Sequence, residues 1–271
     1  MTKIGVVGAA GRMGALIARG VVESDDLTLT GALEIQGHPM LGRDVGDVIA
    51  KLPLGIAISA DLETAFADCD VIIDFSSPTA TIEHMTYAAA NGQAMVIGTT
   101  GFSDKQRITL FDIGAGIPVV ISPNMSIGVN VMFKAVAMLT RLLGEGYDVE
   151  IVEAHHRLKK DAPSGTAKGL ALAVARARGV DLDEHARYER LGIIGERPVG
   201  EIGIQTVRAG DIVGEHTVYF AGGGERIEIT HRAHSRENFA RGALRAARWI
   251  KGKNPGMYSM LDVLGLSDED R

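Results

Sequence analysis

The stretch Glu153–Ala167, EAHHRLKKDAPSGTA, gathers the side chains best suited to chemistry: the imidazoles of His155 and His156, the cations Arg157, Lys159 and Lys160, and a Pro-Ser-Gly-Thr turn ahead of helix-compatible sequence. An imidazole titrates near neutrality and can give or take a proton. Backbone N–H groups around a helix start, here those of Ser164, Gly165 and Thr166, suit a carboxylate. The combination points to proton delivery beside an anionic substrate. Lys159, Lys160 and the Gly165/Thr166 turn would seat that anion. If His155 and His156 end a strand, their side chains point to opposite faces, so only one meets a given ligand directly. A metal centre competes for paired histidines, but the neighbouring Arg157, Lys159 and Lys160 would repel a cation, and no metal is expected. A structural role at a sheet edge stays open for both histidines on local sequence alone. His231 and His234 read as structural, with Ser235 and Asn238 nearby as helix-capping residues.

Such a cluster needs a partner that brings reducing or binding chemistry, and the N-terminal residues supply a candidate. Lys3–Val7 is the apolar run of a strand buried on both faces, and it ends in Gly8-Ala9-Ala10-Gly11-Arg12-Met13-Gly14, followed by helix-compatible sequence from Ala15 to Val22. Strand, glycine turn and helix make a backbone cradle for a pyrophosphate. The spacing is G-x-x-G-x-x-G rather than G-x-G-x-x-G, and by itself it also fits a plain tight turn. The next strand, Leu27–Leu33, ends at Glu34, where a dinucleotide-binding unit places the carboxylate that accepts from the adenosine ribose. Ile35 and Gln36 follow it, with no adjacent cation for a 2′-phosphate, although Arg12 and Arg43 keep NADPH use open.

Strand-like and helical runs then alternate: Val71–Phe75, a helix from Pro78 to Asn91, Ala94–Ile97, a helix capped by Ser103, and Ile117–Ile121. The strand ends carry Gly98-Thr99-Thr100 and Ser122-Pro123-Asn124-Met125, on the edge where such folds bind ligands. Beyond Ser126 the pattern changes to a long apolar helix over Ile127–Leu143 and a strand over Tyr147–His156, with Val149, Ile151 and Glu153 on one face. A helix over Ala167–Arg178 follows, then an irregular stretch from Asp181 to Pro198. Three strand-like runs come next, Ile202–Arg208, Glu215–Phe220 and Arg226–Thr230, and finally helices over Asn238–Lys251 and Met257–Leu264. The expected fold is α/β, a Rossmann-like doubly wound parallel sheet plus an α+β domain with a mixed or antiparallel sheet. Residues 1–126, completed by 236–271, form the dinucleotide-binding domain and 127–235 the substrate domain.

Composition excludes several classes. A formal net charge of −6 argues against a nucleic-acid partner. Apolar runs are interrupted before the roughly 20 residues of a membrane span, so no membrane partner is expected. Cys69 is the lone cysteine, and Met1-Thr2-Lys3 leads straight into strand-like sequence without a signal-peptide pattern, so the expected location is cytoplasmic. A non-catalytic NADH sensor would share the first half, but no basic helix suited to DNA is found.

The glycine turn with Arg12-Met13, the segments GTTGF and PNMSIGVNV, the run EAHHRLKKDAPSGTA and RAGDIVGEH from Arg208 to His216 together resemble the 4-hydroxy-tetrahydrodipicolinate reductase (dihydrodipicolinate reductase) family, across essentially the whole chain and in motif order. The resemblance implies reduction of a cyclic dicarboxylate by NADH or NADPH to tetrahydrodipicolinate, in the diaminopimelate route to lysine. It implies His155 as proton donor or acceptor and Lys159 as second proton donor, with His156, Gly165 and Thr166 contacting the dicarboxylate. It places the nucleotide at Gly8 to Met13, Glu34, Gly98 to Thr100 and Ser122 to Met125, and assembly as a homotetramer through the second domain's sheet. Many members follow the acidic residue with arginine; Ile35 departs from that. The protein is therefore expected to show a higher kcat/KM with NADH than with NADPH, and steady-state kinetics with both nucleotides would overturn this by giving NADPH the advantage.

Overall fold

The computed structural model describes residues 1–267. The chain forms two compact units, one from Met1–Ile127 and the chain from Arg236 on, the other from Gly128–Ser235. The first unit begins β1 (Thr2–Val7), α1 (Arg12–Val22), β2 (Leu27–Leu33), α2 (Val45–Ile49), α3 (Leu62–Phe66), β3 (Val71–Asp74), α4 (Pro78–Ala90), β4 (Ala94–Ile97), α5 (Asp104–Gly114) and β5 (Pro118–Ile121). There follow α6 (Ile127–Leu143), β6 (Asp148–His155), α7 (Gly165–Arg178), α8 (Leu182–His185), β7 (Ala186–Arg187), β8 (Ile202–Arg208), β9 (Gly214–Gly222) and β10 (Glu225–Ala233). The first unit closes with α9 (Glu237–Ile250), β11 (Gly256–Tyr258) and α10 (Met260–Leu264).

The first unit's sheet has the order β11-β5-β4-β3-β1-β2 and is parallel throughout. Every residue of β3 and β4 is buried, as required of central strands covered by helices on both faces. Parallel pairing puts the C-terminal ends of β1 to β5 on one edge. The helix expected from Ala15 starts at Arg12, with Gly11 as its N-cap. Gly14 thus lies in the first turn of α1, where a Cβ would sit 2.0 Å from the Gly8 carbonyl oxygen. Gly8 itself has φ +63, a left-handed value that favours glycine. Residues 36–70, given no element by sequence patterning, hold the short α2 and α3, capped by the side chains of Asp44 and Asp61.

One expected helix is partly a strand. Met257–Leu264 splits into β11, which pairs with Pro118–Val120 of β5, and α10, which Ser259 caps in a box with Asp262. The apolar Met257 and Tyr258 suit a helix face or a sheet edge equally, and the open edge of β5 decided between them. The N-cap of α9 is Arg236, not Ser235 or Asn238, and the Arg236 side chain makes no capping bond.

The second unit's sheet has the order β10-β9-β6-β8-β7 and is mixed, β6 running parallel to β8 and antiparallel to β9. Its core joins Val149, Ile151, Ile202, Ile204, Val218 and Phe220 to Leu170, Ala171 and Val174 of α7 and Met132 and Val136 of α6. The stretch Ile127–Gly146 is long and apolar enough to cross a bilayer by length and composition, which corrects the expectation that no run reaches that length. Its Met132 and Val136 face packs in this core, so packing accounts for part of its apolar character.

Close approach of backbones is tightest where α9 meets the chain after β5: a Cβ on Gly242 would lie 1.7 Å from the Met125 carbonyl oxygen. Alanine is a better helix former than glycine by about 1 kcal/mol, but overpacking outweighs that gain. Gly242→Ala is expected to destabilise the protein by about 1–3 kcal/mol net, read as a lower urea midpoint; a raised midpoint would contradict the packing.

Candidate active site

The first unit presents a cavity of about 770 Å³ at the ends of β1, β2 and β3. Gly8, Gly11, Arg12, Met13 and Glu34 line it, together with Ile35, Gln36, Phe75, Ser76, Glu83 and His84. α1 starts at this cavity with no side-chain cap and no acidic residue in its first turn. Uncapped amides and the helix dipole favour an anion there, and Gly8, whose Cβ position has nothing within 4 Å, leaves the turn open. The carboxylate of Glu34 closes the cradle: Oε2 accepts from the Ala10 amide at 3.2 Å and Oε1 from the Ile35 amide at 3.0 Å. The donor set and shape fit a dinucleotide with its pyrophosphate on α1 and a ribose at Glu34.

Other expected nucleotide positions do not line this cavity. Ala9 and Met125 are core residues, and the Ala9 amide donates to the Leu33 carbonyl at 3.1 Å. Ser122 is buried, its hydroxyl donating to the Asn124 carbonyl. Gly98, Thr99, Thr100, Pro123 and Asn124 follow β4 and β5 on the same sheet edge, and the Phe75 ring lies against Gly98, where a Cβ would be 2.3 Å from it. Thr99 is engaged by a buried network that sequence patterning did not single out. Asp74, with no exposure, takes the Ser76 amide and hydroxyl and meets His84 Nδ1 at 2.7 Å, while Thr99 bonds Thr81 at 2.9 Å. The signal for it was an acid ending a wholly apolar strand.

The second unit builds its cluster at the end of β6. Alternation buries Val149, Ile151 and Glu153 on one face, and Glu153 is wholly inaccessible. Its carboxylate meets His155 Nδ1 at 2.6 Å and accepts from Arg208 at 2.8 and 2.7 Å, from the Ser164 amide at 3.0 Å and from the Thr206 hydroxyl at 3.3 Å. Burial alone would push this carboxyl up; the hydrogen bonds from His155, Arg208 and Ser164 outweigh it and hold the group well below the usual carboxylate range. The bidentate bond to Glu153 in turn raises the Arg208 guanidinium. His216 of β9 sits opposite Glu153 and stacks edge-on against His155, ring centres 5.2 Å apart. Burial, reinforced by His155, pushes His216 down to about 3, so it is neutral.

His155 ends β6 and His156 lies beyond it, half-buried, with Nδ1 shielded and without a hydrogen-bond partner. Lys159 pairs with Asp161 at 2.9 Å, and Arg208 reaches the Asp161 carbonyl at 2.7 Å. A run of contacts therefore joins Lys159 to His155 through Asp161, Arg208 and Glu153. The helix expected from Ala167 begins two residues earlier at Gly165, because the Ser164 hydroxyl caps the Ala167 amide. Ser164 was expected to offer a free amide, but it is buried, its amide is held by Glu153 and its hydroxyl also pairs with His216 Nε2 at 3.0 Å. Gly165, exposed at the first position of α7, and Thr166 beside it occupy a helix start without acidic residues. His231 pairs in register with His216 and is held low by its own burial. No group of His, Cys, Asp or Glu able to hold a metal is found among the described residues. Glu153, Arg208 and His216 are the members that spacing alone did not assign to the site.

The family model described as dihydrodipicolinate reductase, N-terminus, matches residues 2–125, and the one described as dihydrodipicolinate reductase, C-terminus, matches residues 128–264. A 4-hydroxy-tetrahydrodipicolinate reductase from Citrifermentans bemidjiense is 54% identical over 98% of this chain and 100% of its own length. One from Anaeromyxobacter dehalogenans is 54% identical over 98% of each. Among solved structures, a dipicolinate-bound dihydrodipicolinate reductase from a Paenisporosarcina species shares the fold, with a TM-score of 0.75 at 24% identity over 97% of this chain and 98% of that one.

The neutral, buried His216 has a consequence for stability. Its folded value lies below that of a free histidine, so its contribution is complete above about pH 6.5 and is lost as pH falls toward 3. The unfolding free energy is expected to decline between about pH 6.5 and 5 with a slope of up to roughly 1.4 kcal/mol per unit from this residue. Urea titrations of His216→Gln should show a shallower slope in that window; an unchanged slope would contradict the assignment.

Proposed function

The chain belongs to the dihydrodipicolinate reductase family, and from that premise we propose that it is a 4-hydroxy-tetrahydrodipicolinate reductase, forming tetrahydrodipicolinate in the diaminopimelate route to lysine. The observation that carries the reading is the array at the end of β6, where one buried carboxylate ties together His155, Ser164 at the start of α7, and Arg208. A reduced nicotinamide nucleotide supplies the hydride when bound. The Gly8 to Met13 cradle holds its pyrophosphate and Glu34 its adenosine ribose; the residues at the ends of β4 and β5 serve its nicotinamide end.

The remaining work falls to side chains of the second unit. A planar dicarboxylate needs positive charge or N–H donors at both carboxylates. Gly165 and Thr166 at the α7 start, His156 with its unpartnered Nδ1, and Lys159 are assigned to them. Lys159 exchanges Asp161 for the substrate, a like-for-like replacement of one carboxylate by another. Once the 4-hydroxyl has left as water, reduction of the resulting unsaturated ring places a hydride on carbon and leaves negative charge that takes up a proton. His155 delivers that proton, with Lys159 as the second donor. Ser164 is left out of the ligand shell for the reasons given above.

NADH preference belongs to the same reading. The cavity beside Glu34 is lined by Ile35 and Gln36, with Arg12 its one Lys or Arg lining residue. Arg43 is paired with Asp47 at 3.2 Å. A 2′-phosphate beside Glu34 and Glu83 would meet net repulsion. Assembly as a homotetramer through the second sheet is supported by apolar side chains left in solvent on the 188–199 segment, among them Leu191 and Ile193. Cytoplasmic operation accords with a single, buried thiol at Cys69.

His155→Gln is expected to lower kcat by roughly 10²–10⁴-fold, the usual contribution of general acid catalysis. Its NADH dissociation constant, measured by fluorescence titration, should stay at the wild-type value. Full turnover in the variant, or loss of NADH binding, would sink the assignment.

A further inference from the structure

We propose that Glu153 is the positioning residue for His155: it holds a proton permanently on Nδ1 and so makes Nε2 the atom that exchanges protons with the substrate. The inference rests on His155 being the proton donor. Every other bond to the Glu153 carboxylate comes from a donor, namely both terminal nitrogens of Arg208, the Ser164 amide and the Thr206 hydroxyl. The carboxylate is thereby kept ionised and can only accept, which obliges His155 Nδ1, 2.6 Å away, to be its donor. With Nδ1–H committed, the neutral ring has its lone pair on Nε2. The catalytic proton arrives and leaves there, and Nδ1 never needs to change partner.

The space in front of Nε2 supports the same assignment. A Cβ on Gly214 would lie 3.0 Å from Nε2 and 3.3 Å from Cδ2, so the glycine keeps that side of the ring unencumbered. The groups that face His155 are Glu153 on its own strand, Arg208 on β8, His216 on β9 with His231 behind it on β10, and His156, Lys159 and Asp161 in the following loop. Of these only Glu153 bonds a ring nitrogen. His216 approaches edge-on and uses its Nε2 on Ser164, so it does not compete for the proton. Arg208 is the anchor: it fills both carboxylate oxygens and stops the acid from rotating away.

The wild-type enzyme can be tested first, using protein labelled with nitrogen-15 at histidine and assigned by comparison with His155→Gln. At a pH where the His155 ring is neutral, its spectrum should show Nδ1 protonated and Nε2 bare; the opposite tautomer would overturn the proposal without any variant at position 153. Glu153→Gln should lower kcat on the order of 10–100-fold, by analogy with the loss of outer-shell carboxylates that orient metal-bound histidines. It should alter the pH profile of kcat and leave the NADH dissociation constant within about threefold. The double variant Glu153→Gln/His155→Gln should be no slower than His155→Gln alone, because the acid acts through the ring. Full kcat in Glu153→Gln, an unmoved pH profile, or multiplicative losses in the double variant would refute the positioning role. Unimpaired turnover in His155→Gln would instead remove the proton-donor reading on which it stands.

Discussion

A carboxylate with no solvent exposure is costly to bury, and the end of β6 is organised around meeting that cost at Glu153. Arg208 brings β8 to it, Ser164 brings the start of α7, and His155 folds back from two residues further along the same strand. Removing one partner from such a group leaves an uncompensated buried charge, which typically costs about 3–5 kcal/mol. The same contacts that stabilise the acid therefore fix three things a reaction would use: the direction of an imidazole, the position of a helix start and the seat of the Lys159–Asp161 pair. Order in the site is a by-product of satisfying one charge.

The first unit applies a related solution at a different strand end. Asp74 terminates the wholly buried β3, and its carboxylate is engaged by Ser76 and His84. In both units a strand whose other buried positions are aliphatic carries a buried acid near its C-terminal end, which gathers a hydroxyl, an amide and an imidazole. Parallel pairing adds the rest in the first unit, because it delivers every strand end to one edge, where the uncapped start of α1 and the carboxylate of Glu34 face the same cavity. The turn depends on absence as much as presence: Gly14 matters for the Cβ that would meet the Gly8 carbonyl, and Gly8 for its left-handed backbone.

Local patterns were enough for much of this. Periodicity and turn chemistry gave β2, β4 and α6 at their observed bounds, placed Glu153 on one face with Val149 and Ile151, and marked Ser103 as a cap. They failed where two structures fit the same local pattern. Met257 and Tyr258 could have faced a helix core, and the free edge of β5 made them a strand. The start of α7 was placed at Ala167 although the Ser164 side chain caps it two residues earlier, and the Ser164 amide, expected to be free, is held by Glu153.

The residues of EAHHRLKKDAPSGTA thus declared a chemical capacity, imidazole and ammonium beside a helix start, because side-chain type and spacing within a turn or strand are properties of the chain itself. What each group does with that capacity was settled by strand register. Arg208 lies 55 residues beyond the acid it neutralises, and Ser164 and His216 are 52 apart. Only the pairing of β6 with β8 and β9 brings them into contact, and electrostatic partnership depends on distance in space and on burial, neither of which a linear pattern carries.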